Sequence, residues 1–138
     1  MTIQEYTQRI DDLMWQIESK KEKLLVLESA ATCTTSAPSG MPHNPSPSQS
    51  RMADVIVKKL ELQDSIKADE AEIQSLREYL AATIDQIPSP KYRAVLCKKY
   101  IRSMTNEEIA EEIAYSVRTT RRILGEAIRV LSEKMSSS

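Results

Sequence analysis

The sequence predicts an all-α protein: a long antiparallel coiled-coil helical hairpin followed by a three-helix module that contains a helix-turn-helix. Three observations predict it. Apolar residues recur at alternating three- and four-residue steps through two long stretches. Two shorter helical stretches with N-cap signals follow near the C-terminus. No run alternates apolar and polar residues as a strand would, and the 138 residues include only two glycines, Gly40 and Gly125. With one Trp, five Tyr and no Phe, the core must be built from Leu, Ile, Val and Met.

The first helix is expected from about Ile3 to Ala31. Ile3, Tyr6, Ile10, Leu13, Ile17, Leu24 and Leu27 keep heptad spacing, with Lys20 in the one broken slot. So narrow a seam calls for another helix beside it. Trp15 lies on the far side of the seam, where it either contacts a further subunit or lies across a neighbouring side chain.

Residues 32–50 are of different material, rich in Ser and Thr with Pro38, Pro42, Pro45 and Pro47. No apolar period survives there, and the prolines predict a loop. Loops of this length are usually functional or mobile. His43 is read as a loop histidine, because no second metal ligand stands at useful spacing.

The second helix is expected from about Arg51 to Ile87. Met52, Val55, Leu62, Ile66, Ile73, Leu76, Leu80 and Ile87 keep the heptad, interrupted by Lys59, Asp69 and Thr83. At 1.5 Å per residue it is about 50 Å long. Pro88 and Pro90 stop it. Residues 1–87 therefore read as an oligomerising hairpin with the Pro/Ser loop at one end. Its seams leave too little buried surface for a lone pair of helices, which predicts self-association as a homodimer. The residues expected to carry it are Ile10, Leu13, Trp15, Ile17, Leu24, Leu62, Ile66, Ile73, Leu76 and Leu80. Lys20, Lys59 and Asp69 either set register or meet opposite charges on a partner.

Residues 88–138 read as the second domain. Ser89 and Pro90 open a third helix as N-cap and first residue. Val95, Leu96, Tyr100 and Ile101 face inward, and Lys91, Arg93, Lys98, Lys99 and Arg102 face out. Thr105 and Glu108 form a capping box for a short helix whose Ile109, Ala110 and Ile113 share one face. After a break at Ala114 and Tyr115, Ser116 caps a longer helix over 116–135. Thr120, Ile123, Leu124, Ala127, Ile128 and Leu131 form its buried stripe. Gly125 inside that helix costs about 1 kcal/mol against Ala and is read as a close approach of another helix or a tolerated weak spot.

Charge is unevenly placed. Residues 1–89 hold 9 basic and 14 acidic side chains, a net −5, and residues 90–138 hold 10 and 6, a net +4. Only the C-terminal part is expected to meet a polyanion. A helix-turn-helix presents the first residues of its second helix to base edges in the major groove. Val117, Arg118, Thr119 and Arg122 stand at those positions as base-reading candidates: Arg can fork onto guanine O6 and N7, and Thr or Val can meet a thymine methyl. Arg121, Thr105, Lys98, Lys99 and Arg102 are the phosphate-contacting candidates.

These residues carry a family resemblance. Ile87-Pro88, Arg93-Ala94-Val95-Leu96, Tyr100, the run Thr105 to Ile113 and Ser116 resemble region 4 of bacterial sigma factors. Over roughly the last third of the chain the order of motifs is the same. More broadly, the chain resembles small phage- and prophage-encoded transcriptional regulators related to late-gene activators of the RinA and ArpU type, with a weaker match through Ser39 to His43 and the helix beyond. The resemblance implies a sigma-region-4-like module, double-stranded DNA as partner, an activator, and RNA polymerase as a second partner through the third helix. One position departs from the pattern: the family's turn glycine is Ala114, where a left-handed backbone costs about 1–2 kcal/mol.

Enzyme chemistry is not expected. The single His lies in the loop, and no Gly-rich phosphate cradle is present. Glu107-Glu108 and Glu111-Glu112 read as a solvated helix face, and Cys97 as a core thiol. No cofactor or metal is expected. Cys33 and Cys97 lack ligand spacing and suggest a reducing cytoplasm, and no membrane span or signal peptide is legible. The alternative function is an interaction protein that binds polymerase or another protein through the hairpin, without specific DNA readout.

Overall fold

A computed structural model describes residues 1–35 and 45–137. The described residues are helical throughout and include no strand. In order they form α1 (Ile3–Thr35), α2 (Pro45–Asp85), α3 (Pro90–Leu96) running into a π-helical turn (Cys97–Ile101), α4 (Asn106–Ile113) and α5 (Val117–Ser136). Both long helices extend beyond the expected limits: α1 reaches Thr35 rather than Ala31, and α2 begins at Pro45 rather than Arg51. Of the loop expected over 32–50, residues 32–35 and 45–50 are helical, and the remainder lies outside the described residues. Pro45 and Pro47 fall in the first turn of α2, where the missing N–H groups have no intrahelical partner to lose. His43 lies outside the described residues. No described helix is long and apolar enough to cross a membrane.

The chain divides into two compact units, one of Met1–Ile10 with Gln74–Ser138 and one of Asp11–Ile73. The first holds most of the buried apolar side chains. Ile3 and Tyr6 from the start of α1 meet Leu80, Ile84 and Ile87, Val95 and Leu96 of α3, Ile109 of α4, and Ile123, Leu124, Ala127, Leu131 and Met135 of α5. Ile10 and Leu76 pack at the edge of this cluster. Thr2 and Glu5 cap α1 reciprocally: Thr2 N–H donates to Glu5 Oε2 at 3.2 Å, and Glu5 N–H to Thr2 Oγ1 at 3.1 Å. That box fixes the turn carrying Ile3 and Tyr6 into the core. Thr83, the polar interruption in the α2 seam, is buried and donates its hydroxyl to the Tyr79 carbonyl at 2.9 Å.

Three caps set the course of the C-terminal helices. Ser89 Oγ accepts from Tyr92 N–H at 3.4 Å, with Pro90 as the first helical residue. Thr105 Oγ1 accepts from Glu108 N–H at 3.2 Å. Ser116 Oγ accepts from Thr119 N–H at 3.1 Å. Between α4 and α5, Ala114 adopts the left-handed conformation at φ 61° and ψ 37°. Its N–H donates to Glu111 O at 3.3 Å, and Tyr115 N–H donates to Ala110 O at 3.1 Å. This pair of bonds is a Schellman motif, the turn that glycine usually provides. The geometry is retained, with alanine carrying the strain.

In the second unit, Leu13, Ile17, Ile66 and Ile73 are buried, while Leu24, Leu27 and Leu62 are half-buried. Two of the polar interruptions meet: Lys20 Nζ lies 2.6 Å from Asp69 Oδ2. Lys59 reaches Glu28 at 3.7 Å. The pairings 20 with 69 and 28 with 59 advance in opposite senses, so within this unit the two helices run antiparallel. Large apolar side chains nevertheless remain exposed, among them Trp15 at 73%, Val26 at 69% and Leu25, Ile56, Val57 and Leu60 at about half.

Two expectations follow. Ala114→Gly should raise stability by about 0.5–1 kcal/mol, the relieved left-handed strain less the greater freedom of an unfolded glycine, read as a higher midpoint in urea unfolding. Lys20→Leu alone should destabilise by about 1–3 kcal/mol because Asp69 is left half-buried and unpaired, whereas Lys20→Leu with Asp69→Leu should restore or exceed the starting stability in the same assay.

Candidate nucleic-acid interface

The arrangement begins with the rotation of α5. Thr120, Ile123, Leu124, Ala127, Leu131 and Met135 are buried, which turns the opposite side of the helix to solvent. Arg118, Arg121 and Arg122 are all exposed there, in its first two turns. Val117 and Thr119 are half-buried beside them. The Ser116 hydroxyl donates to Thr119 Oγ1 at 2.9 Å while accepting from its N–H, so the Thr119 side chain is held by the cap. Of the four base-reading candidates, Arg118 and Arg122 are exposed, and neither forms a salt bridge among the described residues, although Arg122 is close enough to act on the Tyr92 hydroxyl electrostatically.

The phosphate-contacting candidates are held differently. Lys98 and Arg102 both pair with Glu112 of α4, Arg102 Nη1 at 2.8 Å from Oε1. Lys98, then Arg102, hold the Glu112 carboxyl below its ordinary range, because both cations favour its charged form. Arg121 Nη2 lies 3.4 Å from Glu107 Oε1. Lys99 donates to Asn106 Oδ1 at 3.1 Å. Thr105 is occupied as the cap of α4. The Glu pairs that read as a solvated face thus include two carboxylates, Glu107 and Glu112, that tether cations.

The π-helical turn brings these groups together. Arg102 N–H donates to Cys97 O at 3.0 Å, five residues back, and Met104 N–H donates to Lys98 O at 3.0 Å. Ser103 takes a left-handed φ of 57°, turning the chain into α4. The Cys97 thiol is pushed up by burial and then by Asp85, which disfavours the thiolate. Arg93, expected to face out, is half-buried and donates to Ile87 O at 2.8 Å.

On the other flank of α5, Tyr92 donates its hydroxyl to Glu126 Oε2 at 2.9 Å. Lys91 Nζ stands 6.0 Å from the ring centroid of Tyr115 in the turn, at the limit of a cation–π contact. Arg129 is exposed farther along α5. Its place on the same line as Arg118 and Arg122 was legible in its spacing of seven from Arg122 and eleven from Arg118. The oligomerisation candidates divide between the units: Leu13, Ile17, Ile66 and Ile73 are buried and Leu24 and Leu62 half-buried within one, Leu80 is buried in the other with Ile10 and Leu76 at its edge, and Trp15 stands in solvent.

No curated protein and no solved structure matches the chain. A family model does match, over residues 45–132, which span all of α2, α3 and α4 and all but the last turn of α5. Since this covers more than half of the sequence, the chain belongs to the family described as protein of unknown function DUF1492.

Proposed function

We propose that this chain is a sequence-specific DNA-binding transcriptional regulator of phage or prophage type, an activator that works as a homodimer in the cytoplasm of a bacterial host. On this reading α3 to α5 act as a sigma-region-4-like module and the first turns of α5 enter the major groove. One observation carries it: Arg118 and Arg122 are exposed at the start of a helix that follows a tight left-handed turn and a serine cap, and no carboxylate pairs with either among the described residues. An arginine without an internal partner keeps its five donors for an external acceptor, and guanine presents two acceptors at matching separation. Lys98, Lys99, Arg102 and Arg121 then position the module on the backbone. The ties of Arg102 to Glu112 and of Arg121 to Glu107 are exposed, so exchange for phosphate costs little there, whereas Lys98 and Lys99, expected to face out, are half-buried.

Selection of binding sites from a random-sequence duplex pool tests this. A palindromic consensus is expected, reflecting two-fold symmetry of the protein. Arg118→Ala and Arg122→Ala should each weaken binding to the selected duplex by about 1–3 kcal/mol and relax preference at particular base pairs. Affinity should fall steeply as salt rises. Selection of no consensus, or variants that bind with undiminished preference, would refute the assignment.

A second reading is favoured by a separate observation. The Asp11–Ile73 unit exposes Trp15, Leu25, Val26, Ile56, Val57 and Leu60, more apolar surface than a free helix pair usually leaves in water. The function is then protein binding through these helices, by a second copy or by polymerase, without DNA readout. Light scattering separates the occupants: a dimer that Trp15→Glu with Val26→Glu converts to monomer assigns the surface to self-association. A monomer that captures purified bacterial RNA polymerase, with capture unaffected by Arg118→Ala, favours the protein-binding reading.

A further inference from the structure

Gly125 sits in the interior of α5, where glycine weakens a helix relative to alanine. The sequence leaves two readings, a neighbouring helix pressed against it or a tolerated weak spot. Within the described structure nothing presses against it: a methyl group built on Gly125 would meet no heavy atom within 4 Å. Packing in the chain therefore gives no reason for the missing side chain, and its φ is not positive.

Its neighbours on the helix supply a reason. At 3.6 residues per turn, positions 118, 122, 125 and 129 fall within about 60° of one another, on a line about 16 Å long. That line is diametrically opposite the buried positions 120, 123, 124, 127 and 131. Arg118, Arg122 and Arg129 are all exposed, and none forms a salt bridge among the described residues. The nearby carboxylate of Glu126 is engaged by the Tyr92 hydroxyl. The result is a row of three exposed guanidinium groups, none in a salt bridge among the described residues and two of them acting on the Tyr92 hydroxyl, with a bare stretch of backbone between the second and the third.

The geometry points to Gly125 as the place where the sugar-phosphate wall of a DNA groove rests on α5, between the base-reading Arg122 on one side and Arg129, gripping phosphate, on the other. This rests on the DNA-binding reading and extends it beyond the first turns of the helix. The groove is only slightly wider than a helix with its side chains, so a helix that penetrates it must meet the wall along its length. A residue without a Cβ lets that wall come closer than any other would. The contact is to backbone and carries no sequence information, whereas Arg118 and Arg122 read bases.

The test uses opposed signs. Full-length Gly125→Ala should unfold at a higher temperature, by roughly 3–6 °C, because alanine is the better helix former. The same variant should bind the selected duplex roughly tenfold more weakly, and Gly125→Leu more weakly still. Arg129→Gln should weaken binding to selected and random-sequence duplexes alike and reduce the slope of log affinity against log salt by about one. A Gly125→Ala protein that is more stable and binds as well as the parent overturns the inference while leaving the DNA reading intact, provided Arg118→Ala still loses affinity. A parent chain that binds neither duplex overturns both. A Gly125→Leu change that alters the oligomeric state and not DNA affinity assigns the bare stretch to a protein contact and overturns it as well.

Discussion

Withdrawal of Ile123, Leu124, Ala127 and Leu131 from water fixes how α5 is turned about its own axis. Each of these side chains is buried to 3% exposure or less, and burying an aliphatic side chain is worth about 1.5–3 kcal/mol. Rotating the helix by one residue would forfeit several such contributions at once. The rotation being set, 3.6-residue periodicity leaves no freedom about which side chains look outward. Arg118, Arg122, Gly125 and Arg129 are aligned on the solvent side because the apolar residues between them are aligned on the other. The outward chemistry of this helix is the complement of its core, and both are written into one stretch of twenty residues.

The cations of the C-terminal helices fall into two groups with different physical status. Lys98, Arg102 and Arg121 are tied to carboxylates of α4, and Lys99 to Asn106. Such near-surface pairs contribute about 0–1 kcal/mol each. They orient long side chains more than they stabilise the fold, and an incoming anion can replace either partner cheaply. Arg118, Arg122 and Arg129 have no such internal tether. The first group holds α4 against the π-helical turn and the start of α5, and the second leaves the surface of α5 electropositive. An otherwise near-neutral chain can thus present a concentrated positive strip.

Where the governing interactions are local, the sequence was readable. Ser89, Thr105 and Ser116 each cap the helix expected of them, because a cap is decided within three residues. The stripe of α5 was equally plain. The meeting of Lys20 with Asp69 was half legible: two polar residues broke two seams, but only the antiparallel pairing of the helices showed that they answer one another. The π-helical turn over Cys97–Ile101 and the left-handed Ser103 left no signal, since neither glycine nor proline marks them. The prolines after residue 44 misled, because a proline in a first turn and one in a loop look alike without knowing where the helix begins. Of the two readings of Gly125, a neighbouring helix or a tolerated weak spot, the first finds no such helix within the described residues, because sequence spacing cannot distinguish a face covered from within the chain from one left open.

The burial of Ile3 and Tyr6 among side chains as distant as Leu131 and Met135 was not legible either, since heptad spacing does not say which helix fills it. It has a consequence for how the molecule comes into being. Translation delivers Tyr6 more than a hundred residues before Leu131, so the opening turns of α1 leave the ribosome with their apolar side uncovered. Leu80, Ile84 and Ile87 are the first partners in that cluster to follow, and the side chains of α5 complete it later. Closing such a distant contact is slow compared with forming the helices themselves. The core beneath the arginine strip is therefore completed only after the segment that opens it has waited through more than a hundred residues of synthesis.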